Sequence, residues 1–308
     1  MAEHYEAVVI GGGPAGLTAG IYLMRAGIST ILLEKGIVGG APLMTDHVEN
    51  YPGFPDGIAG KDLMARMAEQ AKRFGLVVSE FTGVEKIGRS KEQFEIEHGG
   101  GIFTAKGIVV AVGTEPAKLG IPGETEFTGR GVSYCATCDG MFFRNAKVAV
   151  VGGGDAAIQE ALTLANLASQ VYIVHRRGEL RAQKILQDRV FKNSKMTVLW
   201  NCRPSEIKGK DQVESMVLKD TVTGELTEMP IDGVFFYVGS QPSTAFLDDL
   251  VDRDEAGFIL TEEDLSTRTP GLFVAGDTRK KLLRQVTTAV GDGALAAVGL
   301  EHYLLETR

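Results

Sequence analysis

Short apolar runs closed by glycine, each followed by a helical period of apolar positions, dominate the hydrophobic pattern of this chain. Ala7-Val-Val-Ile10 is an unbroken apolar run of strand length, the pattern of a strand buried on both faces. It breaks at Gly11 and gives way to a helical pattern from Leu17 to Ala26. A second apolar run, Ile31-Leu-Leu33, then ends at Glu34. Leu63 to Phe74 predicts an amphipathic helix. Phe94 to Glu97 and Ile102 to Ala105 alternate around Gly99-Gly-Gly101, which predicts a hairpin, and Ile108 to Val112 reads as a further buried strand ending at Gly113. Pro116, Gly120, Pro122 and Gly123 break up a stretch that reads as a linker. After it the opening pattern returns: Val148-Ala-Val-Val151, a glycine turn, a helix to about Leu167, then the run from Val171 to Val174. Near the end, Gly271-Leu-Phe-Val-Ala-Gly276-Asp277 is a buried strand, and Thr287 to Leu300 a helix of small residues. Strands alternating with helices predict an α/β fold.

The two glycine turns carry the first chemistry. In Gly11-Gly12-Gly13-Pro14-Ala15-Gly16, between strand and helix, Gly11 permits the tight turn, Gly13 admits a pyrophosphate to the backbone, and Gly16 lets helix and strand pack closely. The helix N-terminus then presents unpaired N–H groups to phosphate. Gly152-Gly153-Gly154-Asp155-Ala156-Ala157 aligns with it without a gap. The copies differ at the end of their second strand. Glu34 suits the ribose hydroxyls of an unphosphorylated adenosine. His175, Arg176, Arg177 and the following Arg181 offer a cationic cluster suited to a 2′-phosphate, although a solvated charge run would look the same in isolation. The first turn therefore predicts an FAD site and the second an NADPH site.

Cys135-Ala-Thr-Cys138 lies just before the second unit and is followed by Asp139-Gly140. Two intervening residues allow a small disulfide ring and a thiol of lowered pKa, and Asp139 is close enough in sequence to protonate a departing thiolate. A zinc knuckle would require a second ligand pair, and an inert disulfide would suit an oxidising compartment better. Cys202 has no partner in sequence and reads as a structural thiol.

Composition narrows the rest. The 308 residues suffice for two domains, and 44% hydrophobic with 23% charged residues is the balance of a globular protein. A formal net charge of −8 argues against nucleic acid or an anionic membrane as main partner. No apolar run approaches the roughly 20 residues of a membrane span. Met1 to Tyr5 leads directly into the first strand without a secretion signal. With three cysteines, two of them in one motif, the expected location is the cytoplasm.

Over essentially its whole length the chain resembles low-molecular-weight thioredoxin reductases of the bacterial type, which are FAD- and NAD(P)-dependent pyridine nucleotide disulfide oxidoreductases. The resemblance rests on Gly11 to Gly16, Glu49-Asn50-Tyr-Pro-Gly53, Cys135 to Asp139, Gly152 to Ala156, His175 to Arg177 with Arg181, Gly276-Asp277 and Arg284-Gln285. It implies two Rossmann-like, three-layer domains. Residues 1–116 and 246–308 would bind FAD, and residues 117–245, inserted between them, would bind NADPH and carry the dithiol. It further implies a homodimer, rotation of the NADPH domain, and electron flow from NADPH through FAD and the Cys135–Cys138 pair to thioredoxin or a thioredoxin-like protein. Cys138 would face the flavin, Cys135 would attack the partner disulfide, and Asp139 would serve as acid and base. Thr45 and Asn50 would contact the isoalloxazine, Asp277 the ribityl chain, and Gln285 with Val286 the pyrimidine end. Further cofactor contacts are implied for Gly12, Pro14, Ala15, Lys35, Gly40, Ala41, Val84, Gly113, Gly276 and Arg284 on the FAD side, and for Gly154, Asp155 and Ala156 on the NADPH side. Two departures stand out. Ala41 occupies a place usually held by Gln, which removes an amide that helps to hold FAD, and Ala156 one where Ser is common. A related flavoprotein fed by NADH or ferredoxin, or serving another dithiol partner, is the alternative.

Overall fold

The run Ala7–Ile10 forms the middle of the first sheet of the computed structural model, which describes residues 3–90 and 93–307. The chain opens with β1 (Glu3–Ile10), α1 (Pro14–Arg25) and β2 (Thr30–Leu33), and continues through α2 (Gly60–Arg73), β3 (Val77–Ser79), β4 (Val84–Arg89), β5 (Phe94–His98) and β6 (Gly101–Val110). Strands β3, β2, β1 and β6 lie side by side in parallel, and β5 and β4 extend the sheet as an antiparallel ribbon. The expected hairpin is present as β5 and β6. The separate strand expected from Ile108 is not: it is the second half of β6. The first half of β6 alternates between buried and exposed residues opposite β5, while its last four residues are all buried, so one strand carries two burial patterns.

The chain then passes through β7 (Glu115–Pro116) into a second unit, comprising residues Pro116–Ser240. The Pro116–Gly123 stretch is not a loose linker. Buried Glu124 accepts hydrogen bonds from the N–H groups of Leu119 (3.1 Å) and Gly120 (2.6 Å) and from the Tyr134 hydroxyl (2.9 Å), which folds the segment onto the unit. There follow β8 (Val132–Ser133), α3 (Ala136–Asp139), β9 (Lys147–Val151), α4 (Asp155–Ala165), β10 (Gln170–Val174), α5 (Lys184–Lys192) and β11 (Met196–Leu199). An antiparallel trio, β12 (Cys202–Gly209), β13 (Val213–Asp220) and β14 (Leu226–Pro230), precedes β15 (Gly233–Phe236) and β16 (Ser240–Gln241). The parallel sheet of this unit has the order β11-β10-β9-β15-β8, and β9 and β15 at its centre are almost wholly buried.

The tail, Gln241–Arg308, belongs to the first unit. Its strand β17 (Leu272–Val274) pairs in parallel with Ile108–Val110 of β6, and the long helix α6 (Val286–Glu306) closes the chain. Sequence alone left this return open. Alternate residues of β1 serve two cores: Ala7 and Val9 pack with α1, α2 and α6, whereas Val8 and Ile10 pack with β4, β5 and the Leu247–Ile259 segment. Helix α6 meets α1 at Gly293, where a Cβ would overlap the Ala15 carbonyl oxygen. Gly293→Ala is therefore expected to push the two helices apart and cost about 1–3 kcal/mol, read as a lower midpoint in urea unfolding. Among the described residues no helix is long and apolar enough to cross a membrane.

Candidate active site: a dithiol and two dinucleotide cradles

In the first unit the turn after β1 is shaped by glycine. Gly11 has φ +106°, and a side chain on Gly11 or Gly16 would run into the carbonyl oxygen of Ala111 or Gly11 respectively. Gly13 is the N-cap of α1 and Pro14 its first residue, so no side chain covers the helix N-terminus. Glu34 directly follows β2 and braces this turn, accepting from Gly12 N–H at 2.7 Å and Gly36 N–H at 2.8 Å; carboxylate lone pairs remain for a sugar hydroxyl. Lys35 pairs with Glu115 on the surface. Gly40, with φ +64°, abuts Gly13 and caps the short 3-10 turn Ala41–Met44, in which Ala41 is exposed and Pro42 buried. Val84 and Val112 pack on the second core, and the Gly113 carbonyl accepts the Thr278 hydroxyl at 3.1 Å. Thr45 accepts Gly60 N–H on its carbonyl at 3.0 Å.

The tail completes this cradle. Asn50 Nδ2 donates to Gln285 Oε1 at 3.0 Å, joining two predicted site residues that are far apart in sequence. Gln285 caps α6 in a reciprocal box with Thr288, and Val286 begins the helix. Arg284 stacks on Phe258 at 3.9 Å from the ring centroid and reaches the Asp277 carbonyl at 3.4 Å. Asp277 Oδ1 is buried without a hydrogen-bond partner, 3.8 Å from Lys281 Nζ. Burial raises the Asp277 carboxyl above its usual range, while Lys281 and Arg284 draw it back down. A buried acceptor lacking a donor, beside a turn that only glycine can form, fits the hydroxyl-rich chain and pyrophosphate of a flavin dinucleotide.

Asp292 organises the segment that carries Asp277. Its carboxylate receives Arg279 Nε at 3.0 Å, Lys281 Nζ at 2.8 Å and Gly276 N–H at 3.1 Å. The Lys281 and Asp292 side chains are only 7% and 13% exposed, so Asp292→Ala leaves Arg279 without this carboxylate and Lys281 with only the more distant Asp277, 3.8 Å away. The expected cost is about 3 kcal/mol of unfolding free energy in urea, with a lower FAD-to-protein ratio after purification.

In the second unit Gly152 follows β9, and a Cβ there would press on the Tyr237 carbonyl oxygen at 2.6 Å and the Ala157 methyl at 2.7 Å. Gly154 is the N-cap of α4, again without a capping side chain, and Ala156 is exposed in its first turn. The loop that carries the arginines is clamped to this turn: Arg181 and Ala182 N–H donate to the Gly153 carbonyl at 2.7 and 3.0 Å. The Asp155 carboxylate accepts Gln183 N–H at 2.7 Å and Gln183 Nε2 at 2.9 Å, so it holds the loop against the start of α4. Arg176, Arg177 and Arg181 are exposed. His175 does not join them as expected. It is 4% exposed, its ring lies against Gly153 and edge-on to Trp200, and burial lowers its pKa and keeps it neutral.

Cys135 and Cys138 are joined as a disulfide, with their Cα atoms 5.3 Å apart. Cys135 caps α3 and its Sγ accepts Cys138 N–H at 3.1 Å; Cys135 is half-buried and Cys138 exposed. Asp139 Oδ2 accepts the hydroxyl of buried Ser133 at 2.7 Å, and Cys135 N–H donates to the same hydroxyl oxygen at 3.0 Å. A cavity of about 200 Å³ opens behind Asp139, lined by Arg130, Ser133 and Phe142 among others. Met141 (59% exposed) and Phe142 (84% exposed) present apolar side chains directly after the dithiol. Free Cys202 is half-buried and donates to the Trp200 carbonyl at 3.1 Å. Sequence reasoning missed Ser133, Asp292 and the Met141-Phe142 pair. Only the last had a visible signal, two large apolar residues next to a reactive motif.

Two glycine cradles for dinucleotides on separate parallel sheets, with a Cys-x-x-Cys disulfide, define the class of nucleotide-linked disulfide oxidoreductases. The chain belongs to the pyridine nucleotide-disulphide oxidoreductase family, whose model matches residues 5–293. It is 45% identical over 303 residues to the thioredoxin reductase of Bacillus subtilis, covering 98% of this chain and 95% of that one. To the thioredoxin reductase of Treponema pallidum it is 44% identical, covering 99% and 98%. Among solved structures it is similar to Lactococcus lactis thioredoxin reductase, with a TM-score of 0.96, 45% identity and coverage of 98% and 99%. T. acidophilum thioredoxin reductase matches with a TM-score of 0.94 at 33% identity, covering 97% and 98%.

Proposed function

We propose that this chain is an NADPH-dependent thioredoxin-disulfide reductase that passes electrons through FAD to the Cys135–Cys138 pair and on to oxidised thioredoxin. One observation carries the reading: the disulfide and a dinucleotide cradle flanked by three exposed arginines belong to the same unit, and the other cradle to the other unit. FAD, when bound in the first unit, supplies a two-electron carrier that accepts hydride and returns electrons to a disulfide. Gly11, Gly13 and the α1 N-terminus receive its pyrophosphate, Glu34 its adenosine ribose, and Asp277 its ribityl chain. Arg176, Arg177 and Arg181 hold the 2′-phosphate of NADPH. The second unit would thus hold the NADPH and carries the dithiol.

Cys135 is the attacking sulfur, because the Cys138 N–H that already faces its Sγ stabilises a thiolate there. It displaces one sulfur of the thioredoxin disulfide. Cys138 then attacks the mixed disulfide, re-forms the Cys135–Cys138 bond and releases the second thioredoxin sulfur, so two electrons leave the enzyme. Asp139 delivers the protons that the departing thiolates take up, oriented by Ser133. The exposed Met141 and Phe142 side chains suit docking of a protein disulfide. The enzyme works as a cytoplasmic homodimer.

Anaerobic stopped-flow mixing with NADPH tests the first half of the path, and sustained NADPH oxidation on adding thioredoxin the second. A yellow protein that NADPH does not bleach would have another donor. Bleaching without thioredoxin turnover would mean another dithiol partner.

A further inference from the structure

Tyr237 occupies a place that neither cradle explains. It continues β15 at the centre of the second unit's sheet: its N–H donates to the Val151 carbonyl at 2.8 Å, and its own carbonyl is the one that crowds Gly152. Its phenol points toward the dithiol helix. There Oη accepts Ala136 N–H at 2.9 Å, and the hydroxyl is also hydrogen-bonded to the carboxylate of Glu160. Glu160 stands on α4, the helix that starts at the nucleotide turn, and is 8% exposed. Burial first, and the Glu160 charge second, hold the phenol far above its ordinary pKa, so it remains a donor at any working pH. One hydroxyl thus accepts from the first residue of α3 and donates to α4. The bonds described above from Cys135, Cys138, Ser133 and Asp139 run within residues 133–139, while the start of that segment is held by the pairing of Ser133 with Phe235 and by the Tyr134 bond to Glu124. The Tyr237 bond ties the first residue of α3 to β15 and, through Glu160, to α4.

We propose that Tyr237 and Glu160 are positioning residues for the dithiol, anchoring the start of α3 to α4 so that Cys135 and Cys138 stay within closing distance while the disulfide is open. The proposal rests on the reading of this pair as the redox relay. An intramolecular disulfide is stabilised in proportion to the effective concentration of its two thiols. Freeing Ala136 N–H lets the opened loop spread over more conformations, which lowers that concentration and favours the dithiol. The phenol is the right group for the task. Phenylalanine would fill the same space with neither the acceptor for Ala136 nor the donor for Glu160.

The test equilibrates the holoenzyme with graded mixtures of reduced and oxidised dithiothreitol, quenches with acid, alkylates, and counts modified Cys135 and Cys138 by mass spectrometry. The Cys135–Cys138 bond breaks, two electrons and two protons pass to the cysteines, and dithiothreitol closes its own disulfide. Tyr237→Phe is expected to shift this equilibrium about tenfold toward the dithiol, which is about 30 mV for a two-electron couple. Glu160→Leu should repeat the shift even if Tyr237→Phe proves too unstable to purify. Glu160→Gln, which keeps an oxygen for the phenol to donate to, should stay within about twofold of the wild type. A wild-type pair that titrates, with Tyr237→Phe and Glu160→Leu titrating within about twofold of it, would overturn the positioning role alone. A wild-type pair that stays oxidised across the whole range would overturn the relay reading, and this inference with it.

Discussion

Cys138→Ser is expected to reduce NADPH-driven thioredoxin turnover by about a thousandfold or more, while the flavin is still bleached by NADPH at the wild-type rate. A serine hydroxyl cannot form the second sulfur–sulfur bond of the cycle, and at neutral pH it is not ionised to attack the mixed disulfide. The replacement leaves the local fold in place. Ser133 keeps its bond to Asp139, and Ala136 its bond to Tyr237, because neither uses the Cys138 sulfur. The loss is therefore chemical. Cys135 retains its sulfur, so the variant should trap thioredoxin as a mixed disulfide that a non-reducing gel displays and dithiothreitol releases. Turnover preserved in this variant, measured by NADPH oxidation with thioredoxin and a dithiol-sensitive dye, would show that electrons reach thioredoxin by another route.

How far the sequence could be read depended on whether a residue's neighbours lie close in the chain. The two glycine turns were legible because strand, turn and helix are contiguous and the backbone demands glycine at Gly11 and Gly16, where any side chain would meet a carbonyl. β6 was misread because it changes neighbours midway, pairing with β5 at Gly101–Ala105 and with β17 at Ile108–Val110. Periodicity reports exposure, so a change of neighbour looks like a change of element. His175 was misread for a related reason. Its position beside two arginines places it in a cationic run, but it directly follows β10 and is still buried there, with its ring in the open space over Gly153.

The supporting residues show the same limit more sharply. Ser133, Glu160, Tyr237 and Asp292 each act through a partner brought up by the tertiary fold, and no local spacing marks them. Asn50 and Gln285 were each named from a motif, yet their mutual hydrogen bond links the two segments that the second unit separates in the chain. Sequence motifs identified the groups proposed to touch cofactor or substrate. The groups that hold those in place emerged only from the structure.

Arg176→Ala combined with Arg181→Ala is expected to weaken NADPH binding by about 2–4 kcal/mol while changing NADH binding little. Each tenfold loss of affinity corresponds to about 1.4 kcal/mol, so the effect lies well within reach of fluorescence or calorimetric titration. The three guanidinium groups at Arg176, Arg177 and Arg181 are exposed and have no hydrogen-bond or ion-pair partner among the described residues, and a cluster of uncommitted cations repels itself until an anion arrives. The loop that holds them would survive the substitutions. Its clamp consists of the backbone N–H groups of Arg181 and Ala182 on Gly153 and of Gln183 on Asp155, none of which needs an arginine side chain. A general collapse of the loop would weaken both nucleotides alike, and equal losses would contradict the assignment of these arginines to the 2′-phosphate. Salt supplies an independent check, since the cluster is solvent-facing: the preference for NADPH over NADH in the wild type should narrow as ionic strength rises, and in the double variant that dependence should be largely gone.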